Sequence, residues 1–413
     1  MFLGLLKESV VFAAKALTTN KLRTSLSLLG ITIGIFAIIM VFTILDSLEN
    51  NLRKGVQTLG DDVIFIQKWP WLTGPDYPWW KYINRPNPTY SELDDIMEKC
   101  DGARAAAFVV STQVTLKHLN SSIENIQMTA ASHAYDQVKN FEIVQGRYFT
   151  ELESGAGRPV VIIGDMISTT LFPAQTPVGQ YIKLNGSKVM IVGVFKKEGE
   201  SIIGGSLDKE VVIPVNFARN LFDLKDDNMG QMIMVRAKAG VSNEELIDEL
   251  TGAMRSMHKI QPKKESDFAL NQTSVISQSL DSLFDVIGIV GWIIGGFSIL
   301  VGGFGIANIM FVSVKERTNL IGIQKSLGAK NYFVLSQFLF EAIFLSFIGG
   351  AIGLLIVFLI TLLAGDGFGI EITLSSSNII LGLTISILIG IISGFIPAYS
   401  ASQLDPVEAI RSN

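Results

Sequence analysis

Residues 292–344 read WIIGGFSILVGGFGIANIMFVSVKERTNLIGIQKSLGAKNYFVLSQFLFEAIF: two apolar runs with a charged strip, VKERTNLIGIQKSLGAK (314–330), between them. A helix crosses a bilayer with about 20 predominantly apolar residues. The flanking runs extend to 286–313 and 332–363, and two further segments, 25–45 and 379–399, are also long enough. The first has the Lys21 and Arg23 flank of a secretory signal, yet its run exceeds a signal's apolar core and residues 43–46, TILD, offer no small-x-small cleavage site. It reads as a retained anchor.

Composition agrees with four spans. The 413 residues are 48% hydrophobic and 17% charged, with a mean hydropathy of +0.41, beyond an ordinary soluble domain. A net charge of −5 without a long basic block removes the electrostatic footprint of a nucleic-acid binder. The single cysteine, Cys100, excludes an intrachain disulfide and reads as a small buried apolar residue. His118, His133 and His258 lack the paired spacings of a metal site and read as solvated or locally hydrogen-bonded.

Lysine and arginine placement sets the orientation. Lys7, Lys15, Lys21 and Arg23 precede the first span, Lys315, Arg317, Lys325 and Lys330 separate the second and third, and Arg411 follows the fourth. The turn 364–378 carries Asp366 and Glu371 but no cation. Both termini, including the tail 400–413, and the strip 314–330 are therefore expected in the cytoplasm, with residues 46–285 outside. The start, 1–24, places Leu3, Leu6, Val10, Ala14 and Leu17 on one helical face with Lys7 and Lys15 available to phospholipid. That pattern predicts an amphipathic helix along the inner leaflet.

The stretch 46–285 reads as a folded α+β domain, a βαβ-type layer interrupted by an all-β insertion at about 111–214. GDDVIFIQ (60–67) and MIMVRAKA (232–239) are β-rich, and VVIIG (160–164), QYIKL (180–184) and KVMIVGVF (188–195) supply short strands. Capping boxes, Thr89 with Glu92 and Ser242 with Glu245, announce two helices. Residues 69–86, WPWLTGPDYPWWKYINRP, hold Trp69, Trp71, Trp79 and Trp80 among four prolines, which exclude a long helix or central strand. They read as an irregular surface loop folded back on the domain, with contact to an outer partner or the lipid interface as the alternative.

Within the spans the small residues are spaced by four. Gly30 and Gly34, Gly291 and Gly295, Gly349 and Gly353, and the row Gly382, Ser386, Gly390, Gly394 would let helix backbones approach closely. Glu341 is the exception to the lack of charge; it needs a partner in lipid, and Asn308 lies at comparable depth. A protonated Glu341 hydrogen-bonded to Asn308 is the expected pair, and a single carboxylate without a polar stripe argues against a solute path. Catalytic signatures are missing: no G-x-x-x-x-G-K-[ST], H-E-x-x-H or G-x-S-x-G occurs. Energy has to enter from another polypeptide.

The strip resembles the cytoplasmic loop of the MacB/LolC/FtsX class of ABC transporter permeases: Glu316, Arg317, Ile321, Gly322, Lys325, Gly328 and Ala329 fall on its pattern. Asn308-Ile-Met310, Glu341-Ala342, Gly349-Gly350, the tail Pro397-Ala398 with 404–411, and Asn20-Lys-Leu-Arg-Thr24 are similar to the same class. Gly146-Arg-Tyr-Phe-Thr150, VVIIG, Leu171-Phe-Pro173, Pro177-Val-Gly179 and VGVF resemble the outer domain of MacB-type permeases. Leu320 stands where the class has a second loop glutamate, and no ATPase signature is read in these 413 residues, so an architecture closer to the stand-alone permeases is expected.

The resemblance implies a multi-pass protein of the bacterial inner membrane, whose separate ATPase dimer binds ATP and Mg and grips 314–330 as a coupling helix. This chain would then need no cofactor or catalytic residue of its own. It implies a second permease subunit, the same or related, and admits a periplasmic adaptor, outer-membrane channel or carrier. Closure of the ATPases would pass as movement to the outer domains, with export or release of a substrate there. Leu320, Ile323 and Leu327 share one face of the strip, leaving Lys315, Arg317 and Lys325 for water or an acidic partner. The rivals are an FtsX-like subunit that switches an outer enzyme without transport, and a tethered binding protein with no ATPase.

Overall fold

The computed structural model describes residues 21–60, 62–71, 77–173, 175–199, 205–364 and 372–411. The amphipathic start through residue 20 lies outside the described residues, as do Asp366 and Glu371 of the outer turn. The chain divides into two compact units, Met1–Glu49 with Leu283–Asn413, and Asn50–Ser282.

Asn50–Ser282 is built on one ten-stranded sheet, with β1 Val63–Gln67, β2 Ala103–His118, β3 Ser121–Ala131, β4 Ile143–Gly146, β5 Val160–Ile163, β6 Tyr181–Leu184, β7 Ser187–Phe195, β8 Glu210–Pro214, β9 Gly230–Ala237 and β10 Ala269–Gln272. The order is β10-β1-β9-β2-β3-β8-β5-β7-β4, and β6 pairs with β2 and β7. Two pairings are parallel, β3 with β8 and β5 with β7. Both faces are covered: Ile64, Ile66, Phe108 and Val110 enter one core, Val63, Phe65, Ala107 and Val109 the other. Strands covered on both faces need apolar residues at every position, hence unbroken runs such as VVII. The segment 111–214 is not purely β; it also carries short helices Tyr135–Val138, Glu151–Gly155 and Asp165–Leu171.

Helices Glu92–Lys99 and Asn243–Met257 cover the first core with Leu93, Ile96, Leu246, Leu250 and Met254. Ser242 and Glu245 form the expected reciprocal capping box. The Thr89 box does not form: the N-cap is Ser91, whose hydroxyl pairs with that of Thr89 and makes no bond to the helix backbone, while Thr89 donates its N–H and hydroxyl to the Glu92 carboxylate. The chain enters that helix through a turn closed by Glu92 N–H to Thr89 O, which places Thr89 two residues before the N-cap. A second complete box, Thr150 with Glu153, starts Glu151–Gly155. Just before it, Gly146 has φ +80°, and a Cβ there would lie 2.1 Å from Val192 O. Only glycine fits that approach of β4 to β7.

Lys139 and Glu210 form a largely buried ion pair at 3.7 Å, and Thr129 donates to the same carboxylate. They line a cleft of about 440 Å³ on the Phe65, Val109 and Met234 face. Burial pushes the Tyr135 phenol up to about 12. His258 is held between Glu92 and Asp267, at 3.5 and 2.6 Å, and the hydrogen bond to Glu92, joined by that to Asp267, raises its pKa to about 9.

Among the described residues four helices, each with most of its length in the other unit, are long and apolar enough to cross a membrane. They are Lys21–Gln57, Thr273–Glu316, Asn331–Ala364 and Ser376–Ser402, termed the first to fourth spans. The first two helices run past the expected apolar segments, to Gln57 and back to Thr273. Hydropathy marks the apolar part of a helix, whereas backbone hydrogen bonding continues through polar residues.

The fourth span's small face is packed as its spacing implies. A Cβ on Gly394 would lie 2.4 Å from Ala342 Cβ, one on Gly390 2.7 Å from Ile343 Cα, and one on Gly382 2.7 Å from Ile39 Cδ1. Ser386 returns its hydroxyl to Gly382 O and accepts from Ser346 at its carbonyl, so no polar atom of that pair is stranded. A Cβ on Gly34 would lie 2.9 Å from Ser298 O, while Cβ atoms on Gly291 and Gly295 would meet Val41 and Ile38 of the first span. Gly30 differs: a Cβ there would meet nothing within 4 Å among the described residues, although its carbonyl oxygen lies 3.8 Å from the position a Cβ on Gly302 would take.

Candidate coupling site

The strip folds as a short helix, Thr318–Ser326, between two spans. The second span ends at Glu316, and Arg317 leaves helical geometry with φ −107° and ψ 12°. One residue therefore makes the corner. At the other end Leu327 is the C-cap and Gly328 takes φ +98°. Its N–H donates to Lys325 O and that of Ala329 to Gln324 O, the paired bonds of a Schellman ending. Gly328 and Ala329 thus terminate the helix before the third span begins at Asn331.

Three contacts hold this helix against the spans. Arg317 Nη1 donates to Glu341 Oε2 at 3.1 Å, with the Glu341 side chain 3% exposed. Lys325 Nζ donates to Ser402 O at 2.9 Å and Leu404 O at 2.6 Å, satisfying carbonyls at the end of the fourth span. Ile321 is buried in the same core as Val314, Val334 and Phe338. Gly322 faces the C-terminal helix Pro406–Arg411, where a Cβ would stand 2.9 Å from Ala409 Cβ. Asn319 Nδ2 donates to Ile410 O at 3.4 Å.

These contacts correct two expectations. Asn308 is exposed and does not bond Glu341; the guanidinium from the corner residue takes the carboxylate instead. A charged donor on a long stem reaches a depth that the short Asn308 side chain on its own face does not. Arg317 and Lys325, expected to be left for water or an acidic partner, are engaged inside the protein, while Lys315 is exposed.

The residues aligned on the strip therefore divide by direction. Arg317, Ile321, Gly322 and Lys325 point inward; Glu316 and Leu320 are exposed. Leu320, Ile323 and Leu327 form the shared apolar face and are 58, 44 and 85% exposed. The C-terminal helix was missed as part of this site, although its start is written in the sequence. Asp405 Oδ1 accepts from Val407 N–H at 2.8 Å and Pro406 occupies the first helical turn.

The tryptophans separate in the same way. Trp71 packs on Phe65, with ring centroids 4.9 Å apart, and its backbone N–H donates to Asn271 Oδ1. Trp69 is partly exposed with Lys68 over its ring, and Trp79 and Trp80 meet edge to face with more than half of each in solvent. Among the described residues no group of His, Cys, Asp or Glu could hold a metal ion.

Comparison with known proteins places this geometry. The model of the MacB-like periplasmic core domain matches residues 24–253, and that of the FtsX-like permease C-terminal region matches residues 292–406. The macrolide export ATP-binding/permease protein MacB of Bdellovibrio bacteriovorus is 29% identical over 398 residues, 96% of this chain and 60% of that protein. A probable export ATP-binding/permease protein of Pseudomonas fluorescens is 30% identical over 417 residues, 99% of this chain and 61% of that protein. The chain thus spans about 60% of the length of these relatives. The crystal structure of the periplasmic region of MacB from Actinobacillus actinomycetemcomitans aligns with 56% of this chain and 97% of its own, with 16% identity and a TM-score of 0.44. With the core-domain model spanning more than half of the chain and the permease model covering its last three apolar helices, this protein belongs to the MacB/FtsX-like family of ABC transporter permeases.

Proposed function

We propose that this chain is the permease subunit of an ATP-driven complex, in which a separate ATPase subunit docks on 314–330 from the cytoplasm. Its movement is transmitted through the spans to the outer unit, which acts on a substrate on the outer side, in export or release. The observation that carries this reading is the apolar face of Leu320, Ile323 and Leu327, held outward by a helix whose other side is bonded to the third and fourth spans. A face so anchored moves with those spans, which is what transmission of force requires.

Supporting features are the near absence of charge in the spans, which offers no route for a solute, and the close glycine packing of the fourth span on the third. The second span's exposed residues, Phe297, Val301 and Phe304 among them, suit lipid or a second permease subunit. No nucleotide site is proposed in this chain; ATP and Mg belong to the partner.

The test is hydrolysis of MgATP that co-elutes with the full-length, affinity-tagged chain in lipid nanodiscs. Leu320→Asp and Ile323→Asp are expected to lower co-eluting hydrolysis about tenfold each, as for anchors at an interface centre. Unchanged hydrolysis in both variants rejects docking on this helix.

A further inference from the structure

We infer that the ATPase-docking surface is a platform of two helices, with Val407 and Ile410 of the C-terminal helix Pro406–Arg411 forming part of the contact beside Leu320, Ile323 and Leu327. The inference rests on the reading of 314–330 as the docking element. Its own basis is the seam between the helices. At Gly322 the missing side chain admits Ala409, and Ile410 Cγ1 lies 3.0 Å from the position a Cβ would take. Any larger residue at 322 would separate the helices. Ile410 is thereby set against Gly322, the residue before Ile323 in the chain, and Val407 lies one turn away along the same short helix.

Val407 and Ile410 are 62 and 44% exposed although Ala409 between them is buried, so the helix shows one face to Gly322 and an apolar face outward. The platform is also held in place. Asn319 bonds Ile410 O, Lys325 bonds Ser402 O and Leu404 O, and Asp405 caps the first turn. These bonds are all made within the chain, which favours a preformed protein surface. A phospholipid surface fits less well: helices that lie on it carry Lys and Arg along the polar face, whereas Glu408 sits between Val407 and Ala409 and Glu316 stands exposed at the corner. Exposed cations at the rim, Lys315, Lys330 and Arg411, complement an acidic edge on the partner.

The full-length chain is purified from its own host in nanodiscs, and the ATPase subunit is identified as the co-eluting polypeptide that photolabels with 8-azido-ATP. Val407→Asp and Ile410→Asp are each expected to lower co-eluting MgATP hydrolysis by about fivefold or more. Gly322→Leu, which leaves every exposed apolar residue in place, is expected to do the same by parting the helices. Leu119→Asp, on the outer unit's surface, controls for expression and should change nothing. If Leu320→Asp abolishes co-elution while Val407→Asp and Ile410→Asp stay within twofold of wild type, the platform is wrong and the coupling reading stands. A wild-type chain with no photolabelled subunit overturns both. A nitroxide on the Val407→Cys chain, in ATPase-free nanodiscs of mixed anionic and zwitterionic lipid, should be accessible to a water-soluble nickel chelate. Oxygen accessibility typical of the bilayer interior would assign the face to lipid and reject the proposal.

Discussion

Glu341 and Arg317 show how one residue pair links a corner to a span. The carboxylate is almost fully buried in the third span and its donor sits at the single non-helical residue after the second. Removing one member strands the other, so Glu341→Ala is expected to destabilise by about 3 kcal/mol. Replacing both, as in Arg317→Met with Glu341→Leu, should recover most of that loss. Apparent melting temperature in nanodiscs reads the difference, and equal losses in the single and double variants would show that the pair is not the relevant interaction. His258 supplies a pH-dependent case in the outer unit. Its pKa is raised to about 9 by Glu92 and Asp267, above its ordinary 6.5. The stabilisation is therefore complete below about pH 6.5 and disappears as pH rises through about 9. His258→Gln should lower the melting temperature of the full chain at pH 6 and have little effect at pH 10; a loss independent of pH would refute the ionic origin.

At the scale of elements, helix packing depends on absent side chains. Gly394 lies against Ala342 of the third span, and Gly394→Leu should force the two helices apart, costing about 2 kcal/mol from overpacking. Gly30→Ala, where a Cβ meets no described atom within 4 Å, should be neutral or slightly stabilising. Resistance to unfolding by sodium dodecyl sulfate distinguishes them, and similar curves for both variants would contradict the packing described. The same comparison explains what periodicity reveals. Intervals of four in the fourth span marked a real contact face, because spacing identifies which residues share a side of a helix. In the first span the same interval included Gly30, where an added Cβ would meet no described atom within 4 Å, because spacing does not say where a neighbouring helix lies. Helix starts were likewise legible where side chain and backbone agree, as at Ser242 and Glu245. They failed at Thr89, where a turn shifted the cap by two residues.

For the whole molecule, positive residues at both ends and in the strip predict that 314–330 and the tail are cytoplasmic and Asn50–Ser282 is outside. Cysteine labelling of intact cells or spheroplasts tests this. Lys330→Cys should be reached only by a membrane-permeant reagent, and Leu119→Cys by an impermeant one. The native Cys100 provides little background because burial raises its thiol to about 11. Labelling of residue 330 from outside would invert the topology.

The spans, the outer α+β unit and the strip between the second and third spans were all readable, since each depends on properties local to a segment: apolar length, strand-forming runs, charge. So was the common face of Leu320, Ile323 and Leu327, which follows from helical period, although that it points outward is a matter of tertiary packing. What the sequence by itself could not determine is which cations the protein consumes internally. Arg317 and Lys325 look identical in kind to Lys315 along the chain, yet two are spent on Glu341 and on the fourth span's carbonyls and one remains outside. Nor could it reveal that Gly322 marks a seam with a helix about 85 positions away. These are pairings across the fold, and only the tertiary structure decides them, because the energy of a charge or a missing side chain depends on what the folded chain places opposite it.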